Sequence, residues 1–417
     1  WGKTVGALVE LNTGRILFEY ANEFRRSGLE ISPLFLPTNL SGPMSFEELS
    51  RKPAFEGLPG VFSDALPDAF GRSVIRAYYE ARGLSRRAMS AVQRLLYVGE
   101  RALGALTFHP AEEVPTRPAE QESLEVQALA HDARRIVQGQ PDVAIPEIYR
   151  IGSSAGGRRP KAIVHFDPAG QTMRSGGTAR KPGEIACILK FDGVTSDGVT
   201  SALGPPQHYN RVEAAYRNMA KAAGVDIGEI DVLEVDGYAH LLIHRFDLRE
   251  NDRLHQHTFG GLIHVDYNEP GASSYEEYFR SVLRLGMAYD ALRQAYHRMV
   301  FNVMAINQDD HVKNLSFHMT RSGEWLLAPA YDVTFAFGDG WTRAHQLRIR
   351  DKTADIAAVD LLTVGQEFGI KKPERVLEKT RTAIAAWEQF AAAYEVPSQA
   401  VAAIRGELDK RDAAVAN

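Results

Sequence analysis

The sequence contains a single cysteine, Cys187, and no apolar run that approaches the length of a bilayer. A lone thiol cannot close an internal disulfide, which fits a reducing compartment. Its neighbours Ile185, Ile188 and Leu189 read as a buried strand, so Cys187 is expected to be a core residue rather than a nucleophile. A membrane-crossing helix needs roughly twenty apolar residues in succession, and the N-terminus shows no basic stretch leading into an apolar one. Both absences point to a cytoplasmic protein with no membrane association. Positive charge is not in excess either. A formal net charge of −5 has the wrong sign for coating nucleic acid, because neutralising phosphates needs a basic surface. Contact with DNA through a partner stays open.

What is present is the composition of a soluble globular chain: 44% hydrophobic and 24% charged residues over 417 positions. That length exceeds one ordinary core and predicts two or three domains or subdomains. "VGALVELNTGRILFEY" alternates apolar and polar residues around Asn12-Thr13-Gly14 and predicts a β-hairpin. A helical region is expected over about 62–96, where Phe70, Val74, Ile75 and Tyr78 recur at helical spacing. The Pro- and Glu-rich stretch 110–123 reads as a linker, giving a first subdomain over 1–110 and a linker with a helix over 111–135. Strand signals return over 136–249, in "IPEIYRI", "KAIVHF", "EIACILKFD" and a pair around Asp236-Gly237, interrupted by one amphipathic helix at about 207–224. Helical patterns dominate 250–417, apart from two short strands in "NLSFHMTRSGEWLLAPAYD". A strand-rich half followed by a helical half predicts two lobes with a cleft between them.

The chemistry concentrates in "NQDDHVKN", residues 307–314, at the end of a helical pattern carrying Tyr296, Met299, Val300 and Val303. Asp309 precedes Asn314 by the D-x-x-x-x-N spacing of protein-kinase catalytic loops, and Asp332 follows in "APAYD". Phosphoryl transfer uses this inventory: one carboxylate to take the proton of the attacking hydroxyl, and an amide oxygen with a second carboxylate to hold magnesium. Asp332 is not followed by Phe-Gly, and spacing alone does not separate Asp310 from Asp309 as the base. The competing reading is structural, with Asp, Asn and His capping a helix and filling a turn.

Lys190 lies among the apolar residues of "CILKF", where a buried ammonium needs a phosphate or carboxylate opposite it. Glu213 on the following helix is the candidate partner, although Asn210 and Glu213 also have the spacing of a capping box. "HRFD", 244–247, ends a strand where the chain would cross between lobes. Phe246 there could lie against an adenine ring and Asp247 near ribose hydroxyls. Upstream, "GSSAGGRRPKA", 152–162, has no GK[ST] after its glycines, so it is not a Walker A loop. Between flanking strands it reads as a hairpin whose amides face phosphates, with Lys161 and the arginines adding charge. His255 and His257 form an H-x-H pair with no further metal ligand at useful spacing.

With this order of glycine loop, strand Lys, helix Glu, "HRFD", "DDHVKN" and "YD", the chain resembles the HipA family of toxin Ser/Thr kinases. "DALPDAFGR" (64–72) and "VGERALGAL" (98–106) are similar to the family's N-terminal subdomain. The resemblance implies an α+β, two-lobed, protein-kinase-like fold related to phosphoinositide kinases, with an all-helical C-terminal lobe. It implies an ATP- and magnesium-dependent kinase that arrests growth by phosphorylating a protein, an aminoacyl-tRNA synthetase for the best-known members. It also implies a small helix-turn-helix antitoxin (HipB-like) as partner. Carried onto this chain, Asp309 is the catalytic base and Asn314 and Asp332 hold Mg2+. ATP binding falls to Ser154, Ala155, Gly156, Gly157, Arg158, Lys161, Lys190, Glu213, His244, Arg245, Phe246, Asp247, His311, Lys313 and Tyr331. Ser153 or Ser154 is the implied autophosphorylation site, where a phosphate would clash with those of ATP and inactivate the enzyme. The alternatives are a small-molecule kinase and a catalytically silent co-repressor binding module.

Overall fold

The computed structural model describes residues 1–81, 83, 89–112, 124–138, 160–194, 208–249 and 252–416. The chain opens with the hairpin β1 (Gly6–Glu10) and β2 (Ile16–Tyr20), in which alternation turns Ile16, Phe18 and Tyr20 inward. Short helices α1 (Asn22–Arg25) and α2 (Gly60–Ser63) follow, then α3 (Ala69–Ala81), α4 (Ala91–Val98) and α5 (Val126–Val137).

The N-terminal lobe is a five-stranded antiparallel sheet in the order β4-β3-β5-β7-β6. Its strands are β3 (Lys161–Asp167), β4 (Thr172–Ser175), β5 (Ile185–Lys190), β6 (Ile230–Val235) and β7 (Tyr238–His244), with α6 (Tyr209–Ala222) inserted after β5. The period of two divides the sheet's faces. Ala162, Val164, Phe166, Cys187, Leu189 and Leu242 pack with α3 and α5 in one core. Lys161, Ile188, Lys190 and Ile243 face the other way, into the interlobe cleft. Cys187 is fully buried, and burial pushes its thiol up to about 12.

Strands β8 (Leu248–Arg249), β9 (Asp252–Arg253) and β10 (His255–Thr258) carry the chain across to the second lobe. That lobe holds helices α7 (Phe259–Ile263), α8 (Tyr275–Arg284) and α9 (Tyr289–Met304). After strands β11 (Ser316–Met319) and β12 (Trp325–Leu327) come α10 (Ala358–Glu367), α11 (Pro373–Ala385), α12 (Trp387–Ala393) and α13 (Ser398–Ala416). The expected all-helical lobe is thereby corrected. β10, β11 and β12 form a three-stranded antiparallel sheet, because "HQHT" pairs with the hairpin read from the sequence.

The N-terminal segment divides its apolar residues between the two lobes. Phe18, Leu58, Val61 and Phe62 join the large core of the C-terminal lobe, whereas Phe70, Val74 and Tyr78 of α3 join the sheet's core. "DALPDAFGR" is the crossing point, with Pro67 ahead of α3 and Asp68 Oδ1 accepting the Gly71 amide 2.8 Å away. Asp64 is the fastening. Its carboxylate accepts from His257 Nδ1 (2.7 Å), the Thr258 amide (2.8 Å) and Thr258 Oγ (2.7 Å). His257 Nε2 in turn meets Ser32 Oγ at 3.0 Å. This chain has the order of a hydrolase triad, but Ser32 is 0% exposed, so it is an internal joint.

Two glycines let α2 and α7 touch. A Cβ at Gly60 would lie 1.9 Å from the Gly261 carbonyl oxygen. Gly60→Ala is expected to cost about 1–3 kcal/mol by urea denaturation. Gly406→Ala, in a helix with open space around it, should be neutral or slightly stabilising. Burial would raise the Asp64 carboxyl, but the bonds from His257 and Thr258 and the charge of Lys313 hold it below its usual 3.8. A depressed folded-state value contributes stability at neutral pH that is lost as pH falls through it. The stability gap between wild type and Asp64→Asn should accordingly be widest near neutrality and shrink on acidification below 3.8.

Candidate active site

Lys190 organises the cleft. Alternation along β5 turns it to the cleft face, directly across from Lys161 on β3. Its side chain is only 8% exposed, and its ammonium meets Glu213 Oε1 at 2.7 Å and also Asp332 Oδ1. Burial alone would lower the Lys190 value, but Asp332 and Glu213 reverse this and raise it. For Asp332 burial works upward, and Lys190 and Lys161 outweigh it, holding the carboxyl well below the usual range. The capping alternative for Glu213 is not realised. His208 occupies the N-cap of α6, and Asn210 donates instead to the carbonyls of Lys190 (3.3 Å) and Ala239 (2.9 Å). Glu213 is therefore free to serve the ammonium. Lys161 lies 3.9 Å from Asp68 of the crossing segment.

The cleft around these groups spans about 670 Å³, part of it open to solvent. Besides Lys161, Lys190 and Asp332 it is lined by His244, Arg245, Phe246, Asp247, Lys313 and Tyr331, and by Asp64 and Thr258 from the interlobe joint. Phe246 is half-buried, with its ring 5.6 Å from those of Tyr331 and His318. Asp247 is committed elsewhere than to an open surface. Arg245 donates to both of its oxygens (3.0 and 2.6 Å), and the Gly104 amide adds a bond of 2.8 Å. Burial would raise the Asp247 carboxyl, but the Arg245 guanidinium outweighs it. His244 turns to Asp231, 2.7 Å away. Burial lowers the Lys313 ammonium, which stands 5.0 Å above the Tyr267 ring. Tyr331 donates to the Lys313 carbonyl at 2.6 Å.

Asp309 and Asn314 stand beside this cleft rather than in its lining. The loop that carries them follows α9 and is closed internally, with Asn314 Nδ2 donating to the Asp309 carbonyl at 2.8 Å. The Asp309 side chain is 41% exposed and lies 4.0 Å from His311 Nε2. Burial raises its carboxyl, against the lowering effect of His311 and the Trp341 indole, which donates to Oδ1 at 2.8 Å. Burial also lowers the His311 imidazole. Asp310, inseparable from Asp309 by spacing, has no access to an acceptor. It is 2% exposed, and its oxygens take Tyr275 Oη (2.9 Å), His345 Nδ1 (2.9 Å) and the Gln346 amide (2.7 Å).

Ser153, Ser154, Ala155, Gly156, Gly157 and Arg158 lie outside the described residues. Sequence reasoning missed Trp341, whose contact spans 32 positions and leaves no local pattern. Asp64 and Asp68 were visible only as part of a motif. His255 and His257 serve the joint, His255 Nε2 meeting the Ile31 carbonyl at 2.8 Å. No cluster of three metal-ligating side chains occurs among the described residues.

Two family profiles match the chain: HipA N-terminal domain over residues 1–109 and HipA-like C-terminal domain over residues 153–394. A protein of Sinorhizobium fredii (strain NBRC 101917 / NGR234) named "Putative kinase Y4dM" is 22% identical, covering 93% of this chain and 90% of its own length. Among solved structures, HipA of Shewanella oneidensis MR-1, in a complex with HipB and operator DNA, superposes with a TM-score of 0.65 at 17% identity. That match covers 98% of this chain and 93% of the other. The two-lobed, kinase-like architecture is thus shared from end to end, and the chain belongs to the HipA family.

Proposed function

We propose that the protein is an ATP- and magnesium-dependent Ser/Thr protein kinase, acting as the toxin of a toxin-antitoxin pair. The observation that carries this reading is Lys190, held between Glu213 and Asp332 beneath a cleft that also receives Lys161 and Lys313. A cationic floor next to a carboxylate suits a nucleotide's phosphates, and the apolar wall of Ile188, Ile243 and Phe246 suits its base. Asn314 and Asp332 fit magnesium, since both offer hard oxygen donors and Asn314 uses only its amide nitrogen in binding the Asp309 carbonyl. The ion, when bound with the nucleotide, supplies neutralisation of phosphate charge.

Asp309, beside the cleft and partly exposed, takes the proton of the acceptor hydroxyl. The acceptor oxygen bonds to the γ-phosphorus as the bond to the ADP oxygen breaks, and ADP carries the displaced electron pair away. Asp310 keeps the loop in place from behind through Tyr275, His345 and Gln346.

By family resemblance the acceptor is a translation protein of the aminoacyl-tRNA synthetase class. The partner is a small helix-turn-helix antitoxin through which DNA is reached, in keeping with a chain of net charge −5 and with the HipB and operator DNA in the related complex. Ser153 or Ser154 is the proposed self-modification site.

Asp309→Asn should lower phosphate transfer from Mg-ATP by at least roughly a hundredfold and abolish growth arrest when expressed without antitoxin. Undiminished arrest by that variant refutes the kinase reading of toxicity. Lys190→Met leaves Glu213 and Asp332 without their cation, so it should lose both nucleotide affinity and stability, measured by calorimetric titration and melting. Mass spectrometry after incubation with Mg-ATP should find phosphate on Ser153 or Ser154, and phosphate confined to other residues sinks the self-inactivation reading.

A further inference from the structure

The segment between Asp332 and α10 returns to the loop that carries Asp309, and both ends of that return are fastened. At the near end, Ala336 exchanges backbone bonds with Ile306 and Gln308, each at 3.0 Å. At the far end, His345 and the Gln346 amide bind the buried Asp310. Between these anchors the Gln346 side-chain amide reaches back to the Trp341 carbonyl, 2.8 Å away, and the Gly338 amide donates to the Thr342 carbonyl at 3.3 Å. The tip therefore cannot swing freely. From it the Trp341 indole N–H is delivered to Asp309 Oδ1 at 2.8 Å.

Adjacent carboxylates thus hold one loop in two ways. Asp310 is spent entirely on anchoring it, and Asp309 receives a single donor from its tip. An indole donates one hydrogen and accepts none, so it fixes one carboxylate oxygen without competing for a proton. Among the described residues no other side chain donates to Asp309, and 41% of its side chain stays exposed. The geometry points to Trp341 as a positioning residue: we infer that its indole N–H clamps Oδ1 of Asp309 and so aims Oδ2 at the acceptor hydroxyl. This inference rests on the kinase reading above, in which Asp309 is the proton acceptor. An unclamped carboxylate would rotate among orientations, only some of which meet the hydroxyl, and misplacement of a reacting group is costly in rate.

The test compares wild type, Trp341→Phe and Asp309→Asn in the full chain, measuring phosphate release from Mg-ATP and transfer to casein. Trp341→Phe keeps an aromatic ring and removes the N–H. It should lower kcat for both reactions roughly tenfold to a hundredfold, leaving KM for ATP and the melting temperature unchanged. Installing β-(3-benzothienyl)alanine at position 341, which keeps the bicyclic ring without the N–H, should give the same loss even if the Phe variant folds poorly. An unchanged or raised kcat in the benzothienyl variant overturns the inference. So does a kcat loss in the benzothienyl variant that is matched by a fall in its melting temperature. Failure of the inference alone shows as an inactive Asp309→Asn beside a fully active benzothienyl variant. Wild type with neither phosphate release nor transfer, or an Asp309→Asn that retains both, overturns the kinase reading and this inference together.

Discussion

An ammonium buried at the end of a core β-strand must be paired, and the requirement at Lys190 shapes much of this molecule. One partner, Glu213, ties helix α6 to the sheet, and the other, Asp332, ties the C-terminal lobe to the N-terminal one. Burial alone would lower the lysine, and the two carboxylates beside it reverse this. Asp332 holds its place with a left-handed backbone, φ 51°, a conformation that a non-glycine residue keeps only when its surroundings over-determine it. The same ammonium that orients the lobes faces the cleft, so the ion pairs that close the fold also define its electrostatic floor.

A second constraint comes from the N-terminal segment, which owns little core of its own beyond the cluster of Leu49, Ala54 and Phe55. Its apolar residues are distributed to both lobes, so it acts as a brace across them. The crossing segment places Asp64 and Asp68 beside the cleft, where they answer His257, Thr258 and Lys161. Any movement of one lobe against the other has to strain this brace. Cleft and N-terminal segment are therefore mechanically linked through named polar contacts rather than through general packing.

Asp309 and Asp310 show how burial divides labour between identical neighbours. Asp310 is enclosed and satisfied by Tyr275, His345 and Gln346, which makes it structural. Asp309 keeps part of its surface and one donor, Trp341, which leaves it the accessible carboxylate of the pair. No property of the dipeptide decides this; the enclosure is supplied by α8 and by the returning segment near residue 345.

Local patterns in the sequence determined the elements and much of the candidate site. Period-two alternation placed Lys190 and Lys161 on one face and Cys187 on the other, and the turn at Asp236-Gly237 joined β6 to β7. The D-x-x-x-x-N spacing located the loop of Asp309 and Asn314, because both ends of that signal lie within a few residues. The tertiary structure alone decided what depends on distant segments meeting. It chose the ion pair over the capping box for Glu213, since His208 rather than Asn210 starts the helix. It added "HQHT" as a third strand to a hairpin, retired Asp310 from the site, and brought Trp341 to Asp309. Sequence periodicity records which way a residue faces within its own element, whereas the partner it meets is fixed by packing between elements, which leaves no local trace.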